Sequence, residues 1–200
     1  MLEASGLTCE RGGRTLFRDL AFALPPGSAL RIAGPNGSGK TTLLRIVCGL
    51  AAPNAGEVRW NGARIAELGE EYHRTLLYIG HAPALKDELT PRENLDIALR
   101  LAGSEPGSDE LRSALSALAV PDLPARKLSQ GQRRRAALAR VLVSPATLWL
   151  LDEPFAALDA AATSYLEALM PRHLAAGGSV VYTTHQPSAL DARARLVELG

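Results

Sequence analysis

Residues 34–41, Gly34-Pro35-Asn36-Gly37-Ser38-Gly39-Lys40-Thr41, fit the spacing G-x-x-x-x-G-K-[ST] at every fixed position. The chemistry of that spacing is capture of the phosphates of a nucleoside triphosphate. Glycines let the chain turn its N–H groups inward with no Cβ in the way, and a nest of such groups fits α- and β-phosphates. Lys40 would carry a cation to the β/γ oxygens, the Thr41 hydroxyl is a candidate Mg²⁺ ligand, and Thr42 closes the phosphate-binding set. Two elements must hold this loop. Residues 29–33 read as a strand entering it, and Leu43, Ile46, Val47 and Leu50 then recur at helical spacing until Gly49 and Pro53 mark the exit. The phosphates would thus meet a helix N-terminus, where dipole and free N–H groups favour an anion.

Two later runs carry further chemistry. In Leu128-Ser129-Gln130-Gly131-Gln132, Ser129 and Gln132 have capping-box spacing ahead of a helical stretch at 133–143. Residues 147–151 are continuously apolar, as a central parallel strand buried on both faces must be, and they deliver Asp152-Glu153 at its carboxyl end. Residues 180–185 form a second such run ending in His185. Carboxyl ends of parallel strands are where α/β sheets bind ligands.

Taken together, the loop, the 128–132 run and the strand ending in Asp152-Glu153 resemble the ATP-binding subunits of ABC transporters, whose signature usually reads L-S-G-G-Q. Gln130 stands where the first of those glycines is usual. The resemblance implies an α/β fold: a P-loop NTPase (RecA-like) core, an ABC-type antiparallel β layer, and a helical subdomain inserted at roughly 82–140 of a single domain spanning 1–200. It implies that Ser129, Gly131 and Gln132 contact the γ-phosphate held by a partner copy's loop. One chain carries one loop and one such run, so a homodimer follows. It also implies that Asp152 joins Thr41 at Mg²⁺, that Glu153 is the general base, and that His185 hydrogen-bonds the γ-phosphate. Asp159, after Ala157-Leu158, would communicate with the opposite site. His81, in Tyr78-Ile79-Gly80-His81, stands where the family has a glutamine sensing Mg²⁺ and water, and imidazole titrates near neutrality. No aromatic residue lies near Arg11 to stack on adenine. Arg11 either stacks its planar guanidinium there or stands solvated beside Gly12-Gly13.

Within that family, several stretches are similar to the cytochrome c maturation ATPases. They include Leu77-Tyr78-Ile79-Gly80-His81, Leu89-Thr90 with Glu93-Asn94-Leu95, Cys9-Glu10-Arg11, and Arg133-Arg134-Arg135 after the signature run. This second resemblance implies a peripheral ATPase on the cytoplasmic face of a bacterial inner membrane. It would work with an integral, CcmB-like membrane permease and heme-handling membrane proteins, either exporting heme or releasing a heme-loaded chaperone. Two alternatives stay open: an ABC subunit for a lipid or drug cargo, and a nucleotide-dependent scaffold with little hydrolysis.

Composition bounds the rest. Two hundred residues suit one domain with an extended core. A formal charge of +1 with 4% aromatics offers no basic stacking surface for nucleic acid. The triplet at 133–135 points in different directions around a helix, and reads as partly solvated or as field at a dimer seam. Cys9 and Cys48 have neither C-x-x-C nor metal spacing, and Cys48 reads as core. Neither a secretory signal nor an apolar run of about eighteen residues appears, so membrane attachment is expected through a partner. Residues 1–28 and 55–65 read as an antiparallel layer, and 82–128 as mainly helical with a loop at 104–108. Leu85 and Leu89 read as core or as contacts for a membrane-protein helix. Pro171 predicts a kink or early break in the helix after Asp159. Residues 195–199 read as a final strand.

Overall fold

Period-two alternation builds the first layer. In β1 (Leu2–Arg11), Leu2, Ala4, Leu7 and Cys9 are buried, and a register shift between Ala4 and Leu7 keeps both pairs on one face. β1 pairs antiparallel with β2 (Arg14–Leu24) on one side and with β4 (Ala55–Trp60) on the other, and β4 carries the short β5 (Ala63–Arg64). The computed structural model describes residues 1–185 and 188–200.

The second sheet is parallel throughout and runs in the order β6 (Leu76–Ile79), β7 (Leu148–Asp152), β8 (Ser179–Thr183), β3 (Ala29–Ala33), β9 (Ala194–Glu198). β7 and β8 are buried at every residue. Alternation divides β7 between two cores. Leu148 and Leu150 face the core shared with α1 (Lys40–Val47) and the antiparallel layer, while Trp149 and Leu151 face the one containing Leu166 and Met170 of α8 (Ala160–Ala175). The central sheet is therefore covered on both sides, as a parallel sheet requires.

Two short helices, α2 (Ile65–Leu68) and α3 (Glu70–Thr75), lead from β5 to β6. Between β6 and β7 lie α4 (Pro91–Leu101), α5 (Ser108–Ala117), a 3₁₀ turn (Ala125–Lys127), α6 (Gln130–Leu138) and α7 (Arg140–Val143). α4 begins with a full capping box, Thr90 with Glu93, and Pro91 in its first turn, where a missing N–H costs nothing. The expected 104–108 loop lies in the stretch between Leu101 and Ser108.

Several expectations need correction. α8 runs through Pro171 without a break. An internal proline costs about 3 kcal/mol, whereas burying Leu166 and Met170 contributes roughly 1.5–3 kcal/mol each, so packing keeps the helix intact. Leu50 lies beyond the end of α1 and is 63% exposed, so the apolar stripe stops at Val47. β8 ends at Thr183, leaving His185 past the strand rather than within it. The helical stretch after Ser129 divides at Ala139, which keeps helical dihedrals. Cys48 caps α1 and is buried, as read from the sequence.

Candidate active site

The loop leaves β3 at Gly34, whose φ is +143° and whose added Cβ would stand 2.2 Å from the Leu199 carbonyl oxygen. Only glycine fits there. Residues 34–39 deliver α1 with neither a side-chain cap nor an acidic residue in its first turn, which leaves an N-terminus suited to an anion. Lys40 folds back across the loop, its Nζ donating to the carbonyls of Gly34 at 2.8 Å and Pro35 at 3.0 Å. The Ser38 hydroxyl is buried without a hydrogen-bond partner. An orphaned buried donor beside a free helix end fits phosphate oxygens as the missing partner.

The facing wall comes from the ends of β7 and β8. Thr41 Oγ1 donates to Asp152 Oδ2 at 2.7 Å, and Thr183 Oγ1 donates to Asp152 Oδ1 at 2.8 Å. Thr183 Oγ1 in turn accepts the Glu153 N–H at 2.8 Å. Glu153 sits at φ +50°, a left-handed conformation that costs about 1–3 kcal/mol for a side-chain-bearing residue. Its Oε2 accepts the His185 N–H at 3.3 Å. Its Oε1 lies 3.5 Å from His185 Nε2, without hydrogen-bond geometry, and is otherwise buried and unpartnered. Both carboxylate oxygens of Glu153 thus face His185, and both residues line the cleft. Thr41 and Asp152 present hard oxygens side by side, the donor type Mg²⁺ takes.

Asn36, Gly37, Gly39, Lys40, Thr41, Thr42, His81, Asp152, Glu153 and His185 line one cleft of about 490 Å³, together with Leu16. Gly34, Pro35 and Ser38 complete the loop behind it. Ser129, Gly131, Gln132 and Asp159 are not in that lining. Ser129 caps α6, accepting the Gln132 N–H at 3.2 Å, while Gln132 Oε1 accepts the Ser129 N–H at 2.8 Å. A Cβ on Gly131 would stand 2.9 Å from the Ala157 carbonyl oxygen, so the signature run packs tightly on the loop leading to Asp159. Asp159 caps α8 by accepting from Ala162 N at 2.8 Å and pairs with Arg135. Within one protomer the capped α6 terminus therefore lines no part of that cleft.

Sequence reasoning missed three residues here. Leu16, close against Gly39, is an apolar wall of the cleft, whereas Arg11 is exposed and outside its lining. Thr183, which in sequence is only part of the run ending at His185, links Asp152 to Glu153. Arg134, placed in a partly solvated basic triplet, is 2% exposed. Burial pulls its guanidinium pKa down, and the neighbouring Asp152 and Glu153 carboxylates oppose that fall. Tyr78 keeps its phenol proton, its pKa pushed up first by burial and then by Asp152. Leu85 and Leu89 are half-buried, Leu85 against the small cluster of Ala125, Leu128 and Ala136.

Residues 17–156 match the ABC transporter family model, and the chain belongs to that family as an ATP-binding subunit, an ABC-type ATPase. It is 57% identical over 190 residues, 93% of this chain and 89% of the relative, to the cytochrome c biogenesis ATP-binding export protein CcmA of Aromatoleum aromaticum. Among solved structures, the ATP-binding subunit of an ABC transporter superposes with a TM-score of 0.87 at 27% identity, covering 100% of this chain and 85% of that one. A dimeric bacterial ABC transporter cassette does so with 0.83 at 25% identity, covering 100% and 94%.

Proposed function

We propose that this chain is the ATP-hydrolysing subunit of a heme-handling membrane complex in cytochrome c biogenesis, acting as a homodimer with two ATP between its protomers. The observation that carries this reading is that Ser129, Gly131 and Gln132, at the capped start of α6, line no part of the cleft within one chain. A second copy, turned to face the first, brings Ser129, Gly131 and Gln132 to the γ-phosphate over the other copy's loop. The α6 N-terminus is itself an anion site. The dimeric cassette among its structural relatives and the high identity to CcmA support the same reading.

The chain's own residues divide the work. The 34–39 loop, Lys40 and the start of α1 bind the phosphates. Thr41 and Asp152 would hold Mg²⁺, which neutralises β- and γ-oxygen charge when bound. Glu153 takes the proton of the attacking water, a role whose removal typically costs about 10² to 10⁴ in rate. His185 stabilises the γ-phosphoryl oxygens, and His81 occupies the water-sensing position, its backbone held next to Glu153. Hydrolysis removes the group that bridges the copies. The change of subunit separation then drives an integral, CcmB-like permease from the cytoplasmic face of the inner membrane. No helix among the described residues is long and apolar enough to cross a membrane.

Affinity purification of the tagged protein from detergent-solubilised membranes tests this. Copurification of a permease with heme absorption in the Soret region is expected. An active ATPase complex lacking heme and cytochrome c maturation proteins would overturn the heme assignment.

A further inference from the structure

Arg134 is a buried cation with no part in the reaction as assigned, yet its contacts converge on the reacting residues. Nη1 donates to the carbonyls of Gly80 at 2.7 Å and His81 at 3.3 Å, just past β6. Nη2 donates to the carbonyls of Asp152 at 2.8 Å and Glu153 at 2.7 Å, at the end of β7. One planar fork thus joins the ends of two neighbouring parallel strands. Only guanidinium offers enough donors in a fixed plane to hold four carbonyls at once.

The grip on Glu153 has a particular consequence. Its peptide groups are held on both sides, N–H to Thr183 and C=O to Arg134, at a φ of +50° that a glutamate rarely adopts unprompted. The carboxylate is aimed by that backbone. The same guanidinium holds the carbonyl of His81, just past the neighbouring strand β6. Because Arg134 belongs to α6, it also ties both loops to the helix that Ser129 caps.

We propose that Arg134 is a positioning residue for the hydrolytic step, holding the backbones of Glu153 and His81 in fixed relation to each other and to α6. This rests on Glu153 being the base. Arg134 touches no cleft-facing atom of the loop, so it acts on turnover and leaves nucleotide capture alone.

The test compares parent, Arg134→Met, Arg134→Lys, Glu153→Gln and Glu153→Gln with Arg134→Met, each as the assembled ATPase. Arg134→Met is expected to lower kcat at least about tenfold with KM for ATP within about twofold, a pattern reporting loss of transition-state stabilisation. Arg134→Lys should recover part of kcat. In the Glu153→Gln background, Arg134→Met should cost nothing further, because it acts through that side chain. Parental kcat in Arg134→Met, or an undiminished loss in the Glu153→Gln background, overturns the proposal. Hydrogen exchange supplies a readout independent of turnover: faster exchange confined to 80–82 and 153–157 supports the proposal, and unchanged exchange there overturns it. If Arg134→Met fails to fold, Arg134→Lys carries both comparisons. Full activity in Glu153→Gln would refute the base assignment and with it the role in hydrolysis, while the exchange result would still decide whether Arg134 holds the two backbones.

Discussion

Thr41 and Asp152, 111 residues apart in sequence, meet through a 2.7 Å hydrogen bond that joins the first turn of α1 to the last residue of β7. The contact links the phosphate loop to the strand ending in the acidic pair. It sets two hard oxygens together at the mouth of the loop, with the second Asp152 oxygen already engaged by Thr183.

Asp152→Asn is therefore expected to lower Mg²⁺-supported turnover by about 10²-fold, since a metal's charge stabilisation is worth several kcal/mol and each 1.36 kcal/mol is tenfold. Titrating Mg²⁺ against ATPase rate checks this. An unchanged Mg²⁺ dependence would remove Asp152 from the metal site.

Thr183→Val keeps the shape of a fully buried side chain but leaves the Glu153 N–H and one Asp152 oxygen without their partner. The expected cost is about 1–3 kcal/mol, which in a protein of this size lowers Tm by about 2–4 °C per kcal/mol. Turnover should fall by more than the lost folded fraction, because the Glu153 backbone loses one of its two holds. Thermal melting paired with initial rates separates these effects, and unaltered kcat would contradict the linkage.

His173 stacks on Trp149 with ring centroids 3.8 Å apart, beneath the central sheet. Burial holds its imidazole pKa below the ordinary 6.5, with hydrogen bonds at Thr147 and Ser179 pulling partly the other way. The folded protein thus binds the proton less readily than the unfolded chain. The contribution is present in full above about pH 6.5 and is lost as pH falls through the lower folded value. His173→Phe, which keeps a ring on Trp149, should flatten the fall in Tm between about pH 7.5 and about pH 5.5. Parallel Tm curves for the two proteins would contradict that origin.

The phosphate loop was legible because its chemistry is local: glycines, a lysine and a threonine at fixed spacing between a strand and a helix. The α6 capping box was legible for the same reason, β3 from its place directly before the loop, and β7 from the unbroken apolar run that burial on both faces leaves. What escaped reading depends on neighbours distant in sequence. Arg134 looks like its flanking arginines until four carbonyls from two strand ends close around it. Pro171 signals a break, but Leu166 and Met170 are held by the sheet beneath. Leu16 carries no local mark of facing the cleft, since only the approach of β2 to Gly39 puts it there.

Whether two copies complete each site is tested most directly by Glu153→Gln. Sedimentation of this variant should show a monomer without nucleotide and a dimer with saturating ATP. Adding Ser129→Arg should abolish the dimer while equilibrium ATP binding to the protomer persists. A Glu153→Gln protein that stays monomeric when saturated with ATP, while the parent hydrolyses ATP at a rate per molecule independent of protein concentration, would contradict completion by two copies.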